Sequence, residues 1–316
     1  MSPFLLGCYL LLTSLPQSAG ISVIVDTDAG SDDLMAIAFL LARPDVQLEA
    51  VTVVHGLAHV PQGAENVRKL LALAGRTDIP VYLGREEPIR RTAEFPAAWR
   101  KTADELLAAL PAAKALQSKL DAVSFYRKAR RPDSIVVALG PLTNLAAAVQ
   151  SGVRFSNILM MGGAVRVRGN LGDGGYFKTD NTTAEWNVFC DPAAADVVFR
   201  SGAGIRMVPL DATNEVPLRP EFVQKLRGTA RSALGKAVAG LLEREREVIS
   251  QGLYYAWDPL AAVSLVAPKA VRWEPLRIRI RPDGTTEEAA NGGAPVQVAL
   301  HADAASFHDV YLAALR

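Results

Sequence analysis

Short β-branched runs alternate with segments of helical periodicity along most of the chain. Ser22 to Val25, Gln47 to Val54, Ser134 to Leu139, Asn157 to Met161 and Ile205 to Pro209 are apolar stretches that predict buried strands. Each is followed by a loop and then by a segment whose apolar positions recur at helical spacing. Such βα alternation builds an α/β fold: an open, mostly parallel central sheet with helices on both faces, in which ligands gather at the carboxyl ends of the strands. Asp191-Pro192, Asp258-Pro259 and Asp303 each place a capping carboxylate ahead of a helical pattern. There is no internal repeat or low-complexity linker, so residues 21–316 read as a single elaborated domain.

The first twenty residues break this pattern. "MSPFLLGCYLLLTSLPQSAG" has no charged side chain, an apolar run from Phe4 to Leu12, and small residues at Ser18, Ala19 and Gly20. This is the shape of a signal peptide, too short to span a bilayer, and it predicts a periplasmic or secreted protein with no membrane association after cleavage. "LLGC" allows an alternative cut before Cys8. Cleavage at Gly20 leaves Cys190 as the one cysteine, flanked by apolar residues and expected as a packed core thiol.

Composition narrows the partner. Half of the 316 residues are hydrophobic, about a fifth are charged and the formal net charge is +1. With no basic run, nucleic acid and anionic membrane are poor candidates, and a small molecule is the better expectation.

"ISVIVDTDAGSDDLMAIAFLL", residues 21 to 41, sets Asp26, Asp28, Asp32 and Asp33 behind a buried strand. Gly30 permits a sharp turn, Ser31 is placed to cap a helix, and Leu34, Ile37, Ala38 and Leu41 supply its apolar face. Capping and the helix dipole account for Asp32 and Asp33. They leave Asp26 and Asp28 unexplained, because carboxylates on one side of a strand end repel unless a cation intervenes. Calcium, which takes six to eight oxygen ligands, suits such a cluster better than zinc. The spacing is not that of an EF-hand, since Ile37 stands at the twelfth position from Asp26.

Four further motifs lie downstream: "ALGPLTNLAAAV", "ILMMGGAV", "AEWNVFCDPAAA" and "WDPLAAVSLV". With "DTDAGSDD", and in this order, they resemble the inosine-uridine nucleoside hydrolase family from Ile21 to about Pro268. The resemblance implies Ca²⁺-dependent hydrolysis of the N-glycosidic bond of ribonucleosides to free base and ribose, by a homodimer or homotetramer. It implies Asp28, Asp33, Asp258 and the main-chain carbonyl of Leu139 as metal ligands, with Asp28 also the base that activates water. Asp26 would orient its neighbours, Asp32 would accept from a ribose hydroxyl, Asn170, Glu185 and Asn187 would bind ribose, and Met161 would pack against the sugar.

Two positions depart from the family pattern. Leu57 follows Gly56 where the family has a ribose-binding asparagine, with His55 or His59 as possible substitutes. Trp257 stands where many members carry a histidine that protonates the leaving base. The purine-preferring branch has an aromatic there that stacks on the base and a second one from an earlier loop, for which Trp99 is the counterpart. Purine nucleosides such as inosine, guanosine and adenosine are therefore the expected substrates, with the loop between Asn170 and Glu185 as a mobile lid. Two alternatives stand beside this reading: an exported nucleoside-binding protein without turnover, and a haloacid-dehalogenase-type phosphatase. The phosphatase shares Asp-x-Asp but requires Thr or Val where this chain has Gly30.

Overall fold

The structure is a computed structural model that describes residues 20–90, 94–113, 118 and 120–316. The signal-like segment through Ala19, including Cys8, lies outside the described residues.

Nine strands among the described residues form one sheet: β1 (Ile21–Thr27), β2 (Val46–Val53), β3 (Val81–Leu83), β4 (Ile135–Ala138), β5 (Asn157–Met161), β6 (Gly204–Val208), β7 (Val271–Ile280), β8 (Thr286–Glu288) and β9 (Ala294–Ala302). Their order is β3-β2-β1-β4-β5-β6-β9-β7-β8. All pairings from β3 to β9 are parallel, and β7 is antiparallel to both β9 and β8. The five strands expected from the sequence are present to within a residue or two at their ends. Three-residue β3 and the antiparallel β7-β8-β9 extension were not anticipated. In β7, exposed Arg272, Arg277 and Arg279 interrupt the apolar run that marks a strand buried on both faces.

Strand geometry sorts the core into two layers, because successive side chains point to opposite faces. Val23 and Val25 of β1, Val137 of β4 and Leu159 of β5 enter one cluster with the helices Ser31–Ala42 and Trp257–Val266. Ile24, Val136 and Ile158 enter the other, with the helices Thr143–Gln150 and Pro192–Phe199. The helix Ser31–Ala42 is buried almost all round: Met35, Ala36, Phe39 and Leu40 are enclosed together with the expected Leu34, Ile37 and Ala38, whereas Leu41 is only half-buried. Asp191 and Asp303 cap their helices as expected, accepting backbone N–H bonds from Ala194 and from Ala305 and Ser306. Cys190 is buried and free.

Between β1 and β4 the order of connection reverses. At such a point the loops after neighbouring strands diverge and leave a crevice beyond the carboxyl ends.

Candidate active site

β1 delivers Asp28 into that crevice. Ala29 then takes a left-handed backbone (φ 60°), costly for a residue with a Cβ, where strand turns into helix. Gly30, not Ser31, is the N-cap of the helix, and its N–H donates to Asp33 Oδ2 at 3.0 Å. Asp33 also accepts from the Thr27 hydroxyl. Ser31 falls in the first turn, where its Oγ lies 2.8 Å from the Tyr254 hydroxyl. Asp28 Oδ2 accepts from the Leu57 N–H at 2.7 Å. Gly56 makes this approach possible, since a Cβ there would stand 2.1 Å from Asp28 Oδ2.

Asp258 enters from the far end of the chain. It does not cap its helix: Ala256 is the N-cap of Trp257–Val266, and Asp258 lies inside the first turn. Its carboxylate is 1% exposed, and Oδ1 is buried without a hydrogen-bond partner. Asp32, Asp33 and Asp258 each bring a carboxylate oxygen within 4.8 Å of the others. Asp28 reaches the same group by contacting Asp33. Burial first, and the neighbouring carboxylates second, push Asp28, Asp32 and Asp258 well above the ordinary carboxylate range, and burial raises Asp33 as well. The cluster is a set of hard oxygen donors with uncompensated mutual repulsion and an orphaned buried oxygen. That donor set fits a hard divalent cation of the calcium type.

Asp26 faces elsewhere. Its Oδ1 accepts from Asn144 Nδ2 at 2.8 Å and from the Thr52 hydroxyl, and burial raises its carboxyl to about 7. The expectation that Asp26 and Asp28 share one side is corrected: β1 ends at Thr27, and beyond it Asp28 meets the Leu57 N–H and Asp33 while Asp26 meets Thr52 and Asn144. Asp26 instead ties β1 to the helix Thr143–Gln150, which follows the Leu139 loop.

A cavity of about 330 Å³ opens above the cluster. Asp28, Asp32, Asp33, Trp99, Leu139, Met161, Asn170, Glu185, Asn187, Trp257 and Asp258, all eleven residues singled out from the sequence, line it. Asn187 Nδ2 donates to the Leu139 carbonyl at 2.8 Å and to the Met161 carbonyl at 3.3 Å, which fixes two strand ends at the floor. Glu185 accepts from the backbone N–H groups of Gly163, Asn187 and Val188 at 2.8, 2.8 and 3.3 Å. Part of its work is thus to cap the helix Trp186–Cys190. Asn170 Oδ1 accepts from the Trp186 N–H at 3.3 Å.

Leu57 lines the cavity with its side chain, but neither His55 nor His59 does. His55 Nε2 lies 2.7 Å from Thr143 Oγ1, whose single hydrogen goes to Asp191 Oδ2 at 2.7 Å, so the imidazole is the donor to the threonine. Exposed His59 pairs with Asp104 at 2.7 Å. Both histidines are committed outside the site.

Aromatic rings make up much of the wall. Trp257 packs edge-on against Tyr254, with centroids 5.2 Å apart. Trp99 meets Trp186 and Tyr176 edge-on at 5.7 and 5.6 Å. Phe95, Asp173, Tyr176, Trp186, Glu245 and Tyr254 also line the cavity and were not anticipated. The aromatic density of "LYYAWDP" was a usable signal for Tyr254; Glu245 had none, being one of many acidic residues in a charged helix end.

The model of the family "Inosine-uridine preferring nucleoside hydrolase" matches residues 23–309. The chain belongs to this family. Uridine nucleosidase 1 of Arabidopsis thaliana is 31% identical over 277 residues, spanning 83% of this chain and 79% of that one. The pyrimidine-specific ribonucleoside hydrolase RihA of a Shewanella strain is 35% identical over 230 residues, spanning 70% and 68%. The purine-preferring ribonucleoside hydrolase from Gardnerella vaginalis superposes with a TM-score of 0.79 at 26% identity, covering 93% of this chain and 97% of that one. This nucleoside hydrolase is therefore an enzyme that hydrolyses the N-glycosidic bond of ribonucleosides. The phosphatase and binding-only alternatives fall with that assignment.

Proposed function

We propose that the enzyme hydrolyses purine ribonucleosides at a Ca²⁺-dependent site formed by Asp28, Asp33, Asp258 and the Leu139 carbonyl. The carrying observation is the convergence of buried carboxylates, one with an orphaned oxygen, beneath an aromatic wall in a cavity that no Lys, Arg or His among the described residues lines. When bound, the cation supplies charge compensation for the carboxylates and Lewis acidity at the cavity floor.

The residues divide the chemistry between them. Asp28 takes the proton of the attacking water, whose oxygen bonds to the anomeric carbon. The bond from that carbon to the base nitrogen breaks, its electron pair leaves with the base, and the base acquires a proton from solvent. Positive charge grows on the sugar ring meanwhile, and the carboxylates of the floor stabilise it more strongly in the transition state than in the ground state. Asp32, Asn170, Glu185 and Asn187 hold the ribose hydroxyls, and Met161 packs against the ring. Leu57 offers no side-chain hydrogen bond in place of the family asparagine, so hydroxyl recognition rests on these four.

Trp257 and Trp99 carry the purine preference. Aromatic faces around a purine favour its protonated form, and this offsets the absence of a histidine at position 257. The likeness to the purine-preferring hydrolase of Gardnerella supports this reading, whereas the uridine and pyrimidine names of the sequence relatives are the rival expectation. Incubation of Ca²⁺-supplemented enzyme with a nucleoside panel, with free base measured by chromatography and ribose by reducing-sugar assay, decides between them. Inosine and guanosine should outrun uridine and cytidine; the reverse order would overturn the purine assignment and leave the hydrolase intact. We also propose export through residues 1–20 and a homodimeric or homotetrameric state. An intact mass from the native host that retains Met1 to Gly20, or a monomer in sedimentation, would refute each in turn.

A further inference from the structure

Tyr176 stands out as one of two large hydrophobic side chains exposed among the described residues, with 54% of its surface open. It also lines the cavity. An aromatic ring left in water forgoes the stabilisation that burial would give, so its position calls for a cause. The loop around it holds the ring in place. Residues Asp173–Gly175 form a short 3₁₀ turn with Gly174 in the left-handed region (φ 67°), and a Cβ on Gly174 would stand 2.6 Å from a Tyr176 ring carbon. Bare glycine lets the ring lie against the loop backbone.

The ring also meets Trp99 at an interplanar angle of 66°. Trp99 in turn packs edge-on against Trp186, and Trp186 stacks on Phe95 with centroids 4.7 Å apart and planes 20° apart. Phe95 and Trp186 are buried. The exposed ring is thus the outermost member of an aromatic series rooted in the protein interior. Two rings near a right angle make a corner, and a flat heteroaromatic laid against one ring presents its edge to the other. Both stacked and edge-to-face contacts are favourable for aromatic pairs.

We propose that Tyr176 is a specificity-determining residue of this hydrolase: with Trp99 it forms an aromatic corner at the cavity mouth that receives the planar base of the nucleoside. The inference rests on the assignment of Trp99 to the base side of the cavity and extends it to a residue of the loop between Asn170 and Glu185.

Steady-state kinetics on inosine, with the inhibition constant of D-ribose measured alongside, tests this. Tyr176→Ala should raise KM by roughly fivefold to tenfold, the worth of one aromatic contact. Tyr176→Phe should stay within about twofold of wild type, and Gly174→Ala should move KM in the same direction as Tyr176→Ala by displacing the ring. Ribose inhibition and the melting temperature should not change, because the sugar is held at the floor and the ring is largely exposed. An unchanged KM in Tyr176→Ala overturns the proposal while leaving nucleoside hydrolysis standing. So does a loss in Tyr176→Phe equal to that in Tyr176→Ala, which would assign the effect to the hydroxyl, or a parallel loss of ribose affinity, which would make the loop a support for the whole pocket. Failure of the wild type to hydrolyse any nucleoside would take both readings down together.

Discussion

His55 offers a quantitative test of how the crevice is built. Burial among β2, the helix start at Thr143 and Asp191 holds its pKa down, from 6.5 to about 4, and the charge of Arg100 adds to the effect while Asp191, Glu87 and Glu94 oppose it. A depressed histidine binds its proton more weakly in the folded chain than in the unfolded one. Between those two values the unfolded state therefore carries more protons, and stability falls as pH drops. Integrating the linkage with these values gives a loss of roughly 2 kcal/mol on going from about pH 7.5 to about pH 5. The acidic cluster contributes with the opposite sign, because its raised carboxyls take up protons more readily folded than unfolded. Wild type alone would therefore report a sum. His55→Gln keeps a donor toward Thr143 but removes the titration, and the carboxylates cancel in the difference between the two proteins. Urea unfolding of both across this range should show a gap that widens toward neutral pH in favour of wild type by about that amount. Curves that stay parallel would show that His55 is solvated or already protonated in the folded enzyme, and that its bond to Thr143 is not the neutral donor bond inferred here.

Two further outcomes follow from the site. Chelation with EGTA should abolish nucleoside hydrolysis and lower the melting temperature, since repulsion among Asp28, Asp32, Asp33 and Asp258 is then uncompensated; full activity at an unchanged melting temperature in metal-free protein would refute the calcium assignment. Trp257→Ala should slow hydrolysis of inosine and guanosine by an amount worth ~1–3 kcal/mol while affecting p-nitrophenyl riboside, which needs no help in leaving, much less; equal losses on both would show that Trp257 positions the sugar instead.

Much of this architecture was legible in the sequence for a physical reason. Parallel strands buried on both faces must be apolar throughout, so β1, β2, β4, β5 and β6 announce themselves, and the site is then confined to the loops after them. Asp28 drew attention because charge behind such a strand has few structural explanations, whereas Asp33 and Asp258, which capping alone would explain, were picked out by the resemblance to the family. The local geometry was less accessible. Ser31 is a good capping residue, yet Gly30 takes the position because Asp33 reaches back to its N–H. Asp258 looks like a cap ahead of Pro259, yet the helix begins one residue before it, at Trp257, and Asp258 joins the cluster from inside the first turn. Asp26 and Asp28 have strand periodicity, yet the strand ends at Thr27 and the two carboxylates find different partners. Each error came from a backbone choice of one or two residues, which hydrophobic periodicity does not encode. Tyr176, Trp186 and Glu245 were invisible for another reason: they reach the cavity through loops and helix ends whose placement depends on packing across the whole chain.

The departures at Leu57 and Trp257 bear on each other through the way the cavity is charged. Among the described residues no histidine lines it. Ser31 bonds to Glu245 and lies 2.8 Å from the Tyr254 hydroxyl, which also reaches Met35 Sδ at 3.9 Å, so both hydroxyls are already engaged within the protein. On the proposed reading the carboxylates of the floor serve the opposite end of the reaction, where positive charge grows on the sugar. On that reading the site is strong at stabilising the ribosyl cation, and no histidine among the described residues lines it to act as acid for the base. On the proposed reading its aromatic wall makes up the difference, by favouring a base that protonates from solvent. A leucine at position 57 is compatible with that division, because sugar recognition then rests on charged and amide groups of the floor, and the rim is left to apolar and aromatic contacts.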